Sequence, residues 1–372
     1  MAESAQRRQD IDIARAFAMM AVVLFHIIQY FNRYEVGSFD PRMEAIVTKM
    51  LHYLPIPVFL GVAGFVLAMG RTEIHTLRDY GRFEGKKLCR LILPFLALAV
   101  IHMLVKIAAP GQSRAVILDE AVKTFIAPGG GLAGHLWFLY ILMIIFLAWP
   151  VIGRLATGWT APLLITALFV LAILPIPWPK YHANELLALD RLAWYAPMFV
   201  LGFWYGRRAG RQVRRHPAGM VLAFCVLAAA IAAEMLLEWP QGFEWETLRR
   251  TVRMAGYLAA GLWLFWLSGM VDARTGPVRK GLALAGFHSY DIYLLHVALV
   301  GHPLVFAISR LNPGPVATYA LLAAAFLVTY IAPIVMGKII RRVPPVAFVV
   351  LGVPKPRRAA MLAAGSGGSQ EG

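Results

Sequence analysis

The hydrophobic positions of this chain fall into long runs rather than short alternating or helical patterns. Windows of about 17–25 mostly apolar residues, long enough to cross about 30 Å of hydrocarbon, recur along its length. They lie near residues 12–31, 51–70, 88–108, 135–152, 160–177, 190–206, 218–238, 251–270, 281–300 and 315–337. The pattern predicts an all-α, polytopic integral membrane protein with about ten transmembrane helices.

The loops between these segments differ in charge. Of the 36 Lys and Arg residues, 22 fall on one set of alternating loops, 12 fall on the other set, and two lie within segments. Because Lys and Arg are enriched on the cytoplasmic side of membrane proteins, this bias places both chain termini in the cytoplasm. We therefore predict a membrane domain over residues 1–342 and a cytoplasmic tail over residues 343–372, flexible at its Gly- and Ser-rich end.

The composition supports a membrane protein and excludes several other classes. The 372 residues are 59% hydrophobic and only 15% charged, whereas about a quarter of a soluble domain is charged. The formal net charge of +16 would suggest a nucleic-acid partner in a soluble protein. Here the loop bias explains the charge, so no nucleic acid is expected. The sequence contains neither HExxH nor CxxC, so no metal site is expected.

The first apolar segment, IDIARAFAMMAVVLFHIIQYF, carries an arginine and a histidine on one face. Arg15 and His26 are eleven residues apart, which is close to three helical turns and a rise of about 16 Å. An arginine within a span costs about 2.5–3.5 kcal/mol or more, so it usually marks a site, a partner or a polar path. Asp12 could simply pair with Arg15, and His26 could simply bond to another helix. The position of Arg15 and His26 on one face of the helix favours a functional site.

Basic residues also lie at the start of the third apolar segment. Lys86, Lys87 and Arg90 stand at its start, on the side predicted to be cytoplasmic. The enrichment of positive charge on that side is a sufficient explanation. The functional alternative is a clamp for a polyanionic donor such as a nucleotide or coenzyme A, which needs several cations at one entrance.

Two later segments carry histidines next to aromatic residues. His135 precedes Trp137 and Tyr140, and Tyr293 precedes His296. Trp and Tyr at a membrane boundary are often interfacial anchors. With the predicted orientation, however, the two histidines and His26 fall at a similar depth in the outer half of the membrane. This coincidence of depth indicates a site without establishing contact.

The order of these segments resembles the membrane-bound acyltransferase-3 family, bacterial ten-span enzymes that O-acylate glycans and other envelope molecules. The resemblance covers nearly the whole chain. It rests on IDIARAFAMMAVVLFH, VFLGVAGFVLAMG, KKLCRLILPF, HLWFLYILMIIFLAWP, YAPMFVLGFWYGRR and SYDIYLLHVAL in this order. The resemblance implies a location in the bacterial cytoplasmic (inner) membrane.

The resemblance also implies roles for individual residues. It makes Arg15 and His26 essential, and its basic pair falls on Lys87 and Arg90, with lysine where arginine is usual. The family's Ser-Gly-Phe reads Ala63-Gly64-Phe65 here, so that hydroxyl is missing. The family's histidine and following Trp in the fourth span match His135, Trp137 and Tyr140, and its late Tyr-x-x-His matches Tyr293 and His296. These five residues are expected to support the site or position the acceptor.

The predicted activity is transfer of an acyl group, acetyl or succinyl, from cytoplasmic acyl-CoA to a hydroxyl of an envelope glycan or glycolipid. His26 would act as general base or accept the acyl group itself, because imidazole has an ordinary pKa of about 6.5. Arg15, oriented by Asp12, would hold the donor with Lys87 and Arg90.

Acyl-CoA enters this scheme as a substrate, and no bound cofactor is expected. Membrane lipids surround the protein, and a polysaccharide-synthesis or periplasmic protein could be a partner. The alternatives are a transporter or flippase, in which the polar residues line a path, or a noncatalytic scaffold.

Overall fold

The computed structural model describes residues 8–37, 41–70, 76–108, 113–181, 184–208, 217–311 and 313–353. Helices dominate this part of the chain. They are α1 (Gln9–Arg33), α2 (Pro41–Tyr53), α3 (Pro55–Met69), α4 (Leu77–Ala108), α5 (Arg114–Ile126), α6 (Trp137–Leu147), α7 (Trp149–Leu155), α8 (Thr160–Ile173), α9 (Leu189–Arg208), α10 (Pro217–Leu236), α11 (Phe243–Asp272), α12 (Pro277–Phe287), α13 (Ser289–Leu295), α14 (His302–Ser309), α15 (Pro315–Ile340) and α16 (Pro344–Leu351).

Shorter elements connect these helices. Three 3₁₀ turns span Pro128–Gly130, Gly134–Leu136 and Leu186–Ala188, and a π-helical segment spans His296–Gly301. Two antiparallel strands of two residues each, β1 (Lys180–Tyr181) and β2 (Asn184–Glu185), form a small hairpin. The predicted all-α, polytopic membrane architecture is confirmed.

Eight helical stretches in the described residues are long and apolar enough to cross a membrane. They are Gln9–Arg33, Glu44–Met69, Leu77–Ile107, Leu186–Arg208, Pro217–Leu236, Phe243–Asp272, Ser289–Ser309 and Pro315–Ile340. The helix pair Gly134–Leu147 and Trp149–Leu155, bent by 69°, is also long and apolar enough to cross if the two helices form one span. The bend lies next to Pro150, whose ring removes a backbone donor.

The tenth predicted segment corresponds to α8, which is only 14 residues long and so about 21 Å in length. Its two ends nevertheless lie at different levels of the bundle. At the start of α7, the short helix that precedes α8, the Trp149 ring centroid lies 4.6 Å from that of Phe203, late in α9. Just after it, Arg250, early in α11, donates a hydrogen bond of 2.9 Å to the Leu174 carbonyl. Because α9 and α11 run in the same direction, α8 runs opposite to both.

We call the end of the bundle that contains Arg8 the inner end and the end that contains Arg33 the outer end, following the predicted orientation. The sidedness itself stays a prediction from charge.

The predicted ninth segment, 281–300, begins too early. The chain breaks at His288, so α12 is a separate helix and the crossing runs over Ser289–Ser309. The α12 helix lies so close to α1 that a Cβ at Gly286 would stand 1.6 Å from the Asp12 carbonyl oxygen. This contact fixes α12 beside the start of α1. The average hydropathy of a segment contains no information about such a contact, so it could not locate the break at His288.

A buried carboxylate fixes the start of the crossing Ser289–Ser309. The Asp291 side chain is 1% exposed and accepts two hydrogen bonds of 2.7 Å from the guanidinium of Arg341, at the end of α15. The Nδ1 atom of His288 lies 2.8 Å from the same carboxylate. Paired hydrogen bonds of this kind hold a planar geometry, so α13 and α15 are joined at the inner end.

The predicted tail beyond residue 342 begins with a helix. α16 packs against α4, and its Ala347 and Leu351 are buried. Gly352 follows with a φ of +61°, and a Cβ there would lie 2.5 Å from the Arg90 carbonyl oxygen. Residues 344–352 therefore belong to the packed bundle, whereas residues 354–372, including the predicted flexible end, lie outside the described part. The boundary at residue 342 itself stays a prediction.

Candidate functional site

A cavity of about 540 Å³ lies in the outer half of the bundle, within the range of small-molecule sites. His26 of α1, His135 and Tyr293 of α13 line its inner part. Its walls are largely aromatic and include Phe59, Trp137, Phe138, Trp194, Tyr195 and Tyr257. Charged side chains line it nearer the outer end. We call this space the outer cavity.

The structure brings together the three imidazoles that the sequence placed at one depth. The ring centroids of His26 and His296 are 5.3 Å apart, and those of His135 and His296 are 5.9 Å apart. His26 is half-buried and faces the outer cavity, whereas His296 is fully buried behind it. His26 is thus the imidazole that a substrate in the cavity meets, with His296 against it.

His296 is held in one tautomer. Its Nδ1 atom lies 2.9 Å from the carbonyl oxygens of Ile292 and Tyr293, so Nδ1 must carry the hydrogen and donate it. The Nε2 atom of the neutral ring is then an acceptor, and within the described residues it is buried without a partner. The helix changes to π-helix at His296, a local distortion that often marks functional sites.

Tyr293 and His135 are joined through the backbone. The Tyr293 hydroxyl donates a hydrogen bond of 2.8 Å to the His135 carbonyl, which ties α13 to the 3₁₀ turn before α6. This bond leaves the His135 ring facing His296. His102 of α4 extends the cluster, since its ring centroid lies 5.4 Å from that of His135. His102 is not among the predicted site residues because it sits in a long apolar run.

One charged group of the outer cavity is Arg191, at the start of α9. Its guanidinium lies 4.7 Å from the Trp137 ring centroid and 3.9 Å from the Glu185 carboxylate. Gly129 leaves the space that this guanidinium occupies, because a Cβ there would lie 2.8 Å from a terminal nitrogen. The neighbouring Asp190 also lines the cavity, and its Oδ1 atom is buried with no hydrogen-bond partner among the described atoms.

The opposite wall carries Arg253 of α11. Its guanidinium donates a hydrogen bond of 2.8 Å to Glu234 of α10 and lies 5.9 Å from the Trp194 ring centroid. His52 of α2 lines the same wall, with its ring centroid 6.2 Å from that of Tyr257. Aromatic faces beside carboxylates and guanidinium groups provide both stacking surfaces and hydrogen-bonding groups for a polar ligand.

Asp190, Arg191 and Arg253 are not among the predicted site residues because in the sequence they look like ordinary loop charges. One signal was present: Arg191 and Arg253 are cations on the side where cations are disfavoured, and Arg191 lies three residues before Trp194.

The predicted donor cations lie toward the inner end, away from the outer cavity. Arg15 is about 16 Å along α1 from His26, with its side chain 29% exposed and 3.8 Å from the Asp12 carboxylate. Asp12 is buried, so the pairing that the sequence predicted is present. Arg15 is therefore partly open to a ligand while Asp12 limits its orientations.

Lys87 and Arg90 are positioned by aromatic rings of neighbouring helices. The Lys87 ammonium lies 5.1 Å from the Phe146 ring centroid, and the Arg90 guanidinium lies 5.5 Å from that of Tyr290. Tyr290 also donates a hydrogen bond of 2.7 Å to the Arg90 carbonyl. Arg90 is exposed and Lys87 half-buried, which suits an entrance from the inner end.

Tyr140, predicted with the acceptor residues, lies elsewhere. Its hydroxyl donates a hydrogen bond of 3.0 Å to the Phe125 carbonyl of α5, and its ring packs near Phe95 of α4. It does not line the outer cavity. Tyr140 instead packs against α4 and α5, and its role on the acceptor side stays a prediction.

The comparisons with known proteins give one family match. A family model described as an acyltransferase domain, that of the acyltransferase-3 family, matches residues 8–334. The matched range contains every residue of the outer cavity and all three inner cations. Neither the curated proteins nor the solved structures give a significant match.

Proposed function

The chain belongs to the acyltransferase-3 family, and from that premise we propose that it carries an acetyl or succinyl group from acyl-CoA to a hydroxyl in the outer cavity. The acceptor is a glycan or glycolipid of the bacterial envelope, and the membrane is the cytoplasmic one. The observation that supports this most is the position of His26, between the outer cavity and the face of α1 that leads to Arg15. The family match favours acyl transfer over the alternative function of a transporter or flippase.

In this proposal the inner cations hold the donor. The phosphates of coenzyme A bind at Arg15, Lys87 and Arg90, because ionised donors make strong hydrogen bonds to phosphate. The flexible pantetheine arm then extends along the α1 face and presents the thioester to His26. Arg15 supplies a rigid fork of donors, which Asp12 keeps oriented.

The transfer step is acid–base chemistry at His26. Its imidazole takes the proton of the acceptor hydroxyl while that oxygen attacks the thioester carbonyl carbon. The carbon–sulfur bond breaks, and the coenzyme A thiolate then takes the proton from the imidazolium. The products are an ester and a free thiol, with no net release of a proton. His296 and His135 support His26, and Trp137 and Tyr293 shape the acceptor side.

The test is transfer across the membrane. Sealed vesicles of known orientation receive labelled acetyl-CoA or succinyl-CoA on the inner side only and a soluble envelope glycan on the outer side only. We expect labelled glycan from the wild-type protein and none from vesicles without it. Labelled glycan that appears only when both substrates are on the inner side would contradict transfer through the protein. The protein would then be an acyltransferase that modifies its acceptor before the acceptor is exported.

Substitution of Arg15 by lysine tests donor binding. We expect Arg15→Lys to raise the KM for acyl-CoA about tenfold, because an ammonium keeps the charge but loses the two-pronged contact with phosphate. Arg274→Lys is the control, since Arg274 is an exposed arginine after α11 at the same end of the bundle. An unchanged KM for acyl-CoA in Arg15→Lys would exclude the donor role.

A further inference from the structure

A second cavity adjoins the outer cavity within the depth of the membrane. This groove has a volume of about 300 Å³ and lies between α3, α9 and α11. Three glycines, Gly61, Gly202 and Gly261, help to form it, and aliphatic and aromatic side chains make up the rest. Tyr257 lines both spaces. We call it the lipid-facing groove.

The dimensions of the groove suit a hydrocarbon chain. On α11 it extends from Tyr257 to Trp266, a rise of about 14 Å, which is roughly half of the 30 Å hydrocarbon thickness. Leu262 is 51% exposed and Tyr205 is 37% exposed, so the groove is accessible from the side. Since α11 runs inward, the groove begins at the level of the outer cavity and continues toward the middle of the membrane.

We propose that the lipid-facing groove holds the hydrocarbon chain of a lipid-linked acceptor whose polar head group occupies the outer cavity. The inference rests on the proposed function and narrows its acceptor to a glycolipid or lipid-linked glycan. A lipid with its head group among Asp190, Arg191 and Trp194 would have its chain directed inward, past Tyr257 and along α11. The polar cavity and the apolar groove would then bind the two parts of one molecule.

Coenzyme A, the proposed donor, fits the groove less well than a hydrocarbon chain does. None of the described residues that line the groove is charged, whereas coenzyme A requires cations for its phosphates. Lys87 and Arg90 belong to α4, which does not contribute to the lining. At the inner end of the groove the Arg8 guanidinium lies 5.0 Å from the Phe65 ring centroid, but it is paired with Asp10 through two hydrogen bonds.

Gly261 allows the groove to be filled without disturbing the helices around it. A Cβ at Gly261 would have no heavy atom within 4 Å, so a leucine there extends into the groove. By contrast, a Cβ at Gly202 would stand 2.0 Å from the Gly61 carbonyl oxygen and would separate α3 from α9. A Cβ at Gly281 of α12, which lies outside the groove, would also have no heavy atom within 4 Å, so Gly281→Leu is the matched control.

The experiment compares two acceptors with the same sugar. The protein in lipid nanodiscs receives labelled acetyl-CoA with either dodecyl glucoside, which enters the bilayer, or methyl glucoside, which stays in solution. We expect the wild type to use the dodecyl acceptor with a KM at least tenfold lower. Gly261→Leu should remove most of that advantage and leave the KM values for methyl glucoside and acetyl-CoA unchanged. Gly281→Leu should behave as the wild type.

Other results would overturn the proposal in distinguishable ways. A raised KM for acetyl-CoA in Gly261→Leu would place the donor in the groove. The wild type could have equal KM values for the two acceptors, or Gly261→Leu could keep the preference for the dodecyl acceptor. Either result would show that the groove binds bulk lipid and not the acceptor chain. Absence of transfer from the wild type to any sugar acceptor, with or without a chain, would refute the proposed function and this inference with it.

Discussion

Replacing His26 with alanine should lower acyl transfer by about 10²–10⁴-fold, the range for loss of a general base. The protein should still accumulate in the membrane at wild-type levels, because His26 faces the outer cavity rather than the packed interior. The measurement is turnover of labelled acyl-CoA with an envelope acceptor, normalised to the amount of folded protein. Near-normal turnover in His26→Ala would exclude His26 from the chemistry.

A second histidine of the same cavity provides the control for this experiment. His52 lines the outer cavity on α2, and its ring neighbours are Tyr257 and Phe25. His52→Ala removes an imidazole of the same size from the same space, so we expect less than a tenfold loss. Equal losses from both substitutions would indicate a general effect on the cavity instead of a specific base.

His26→Gln separates catalysis from packing. Glutamine fills part of the same volume and can form hydrogen bonds, but it cannot take a proton at neutral pH. If His26 acts as a base, the glutamine variant should be as inactive as the alanine variant. Substantial recovery with glutamine would indicate that His26 only positions the acceptor.

Much of the fold could be predicted because a membrane imposes simple rules on sequence. Every helix that crosses hydrocarbon must satisfy its backbone internally and present apolar side chains, so length and hydropathy reveal it. All ten predicted segments contain helix, and eight of them, or nine with the bent pair, are long and apolar enough to cross a membrane in the described residues. The rules placed the ninth too early because the break at His288 depends on two tertiary contacts, those of Gly286 with α1 and of Asp291 with Arg341. Averaged hydropathy contains neither contact.

The candidate site was partly predictable for a related reason. A polar group within an apolar run is costly, so His26 and His296 were visible as exceptions, and their common depth followed from counting along helices. The half-buried His102 lies near the end of a long apolar run and gave a weaker signal. Arg191 and Arg253 were hidden among loop charges, because only folding brings the starts of α9 and α11 to the same cavity.

The ion-pair cluster around Glu234 should have a large effect on stability. The Glu234 side chain is 1% exposed and lies 3.0 Å from Lys49 of α2, 2.8 Å from Arg253 and 3.4 Å from Arg249, both of α11. Removing the carboxylate leaves three cations close together with no common partner. Breaking a buried pair in this way costs about 3–5 kcal/mol. The cations are partly exposed, so we expect a value near the lower end.

Glu246 is the matched control because it also pairs with arginines of α11, with Arg249 at 3.6 Å and with Arg250 at 3.0 Å, but its side chain is 36% exposed. An exposed pair contributes about 0–1 kcal/mol, so Glu246→Ala should leave the unfolding temperature in detergent almost unchanged. Glu234→Ala should lower it clearly. Because Arg253 lines the outer cavity, the same variant should also raise the KM for the acceptor more than that for acyl-CoA. Similar unfolding temperatures for the two variants would show that the Glu234 cluster does not join α2, α10 and α11.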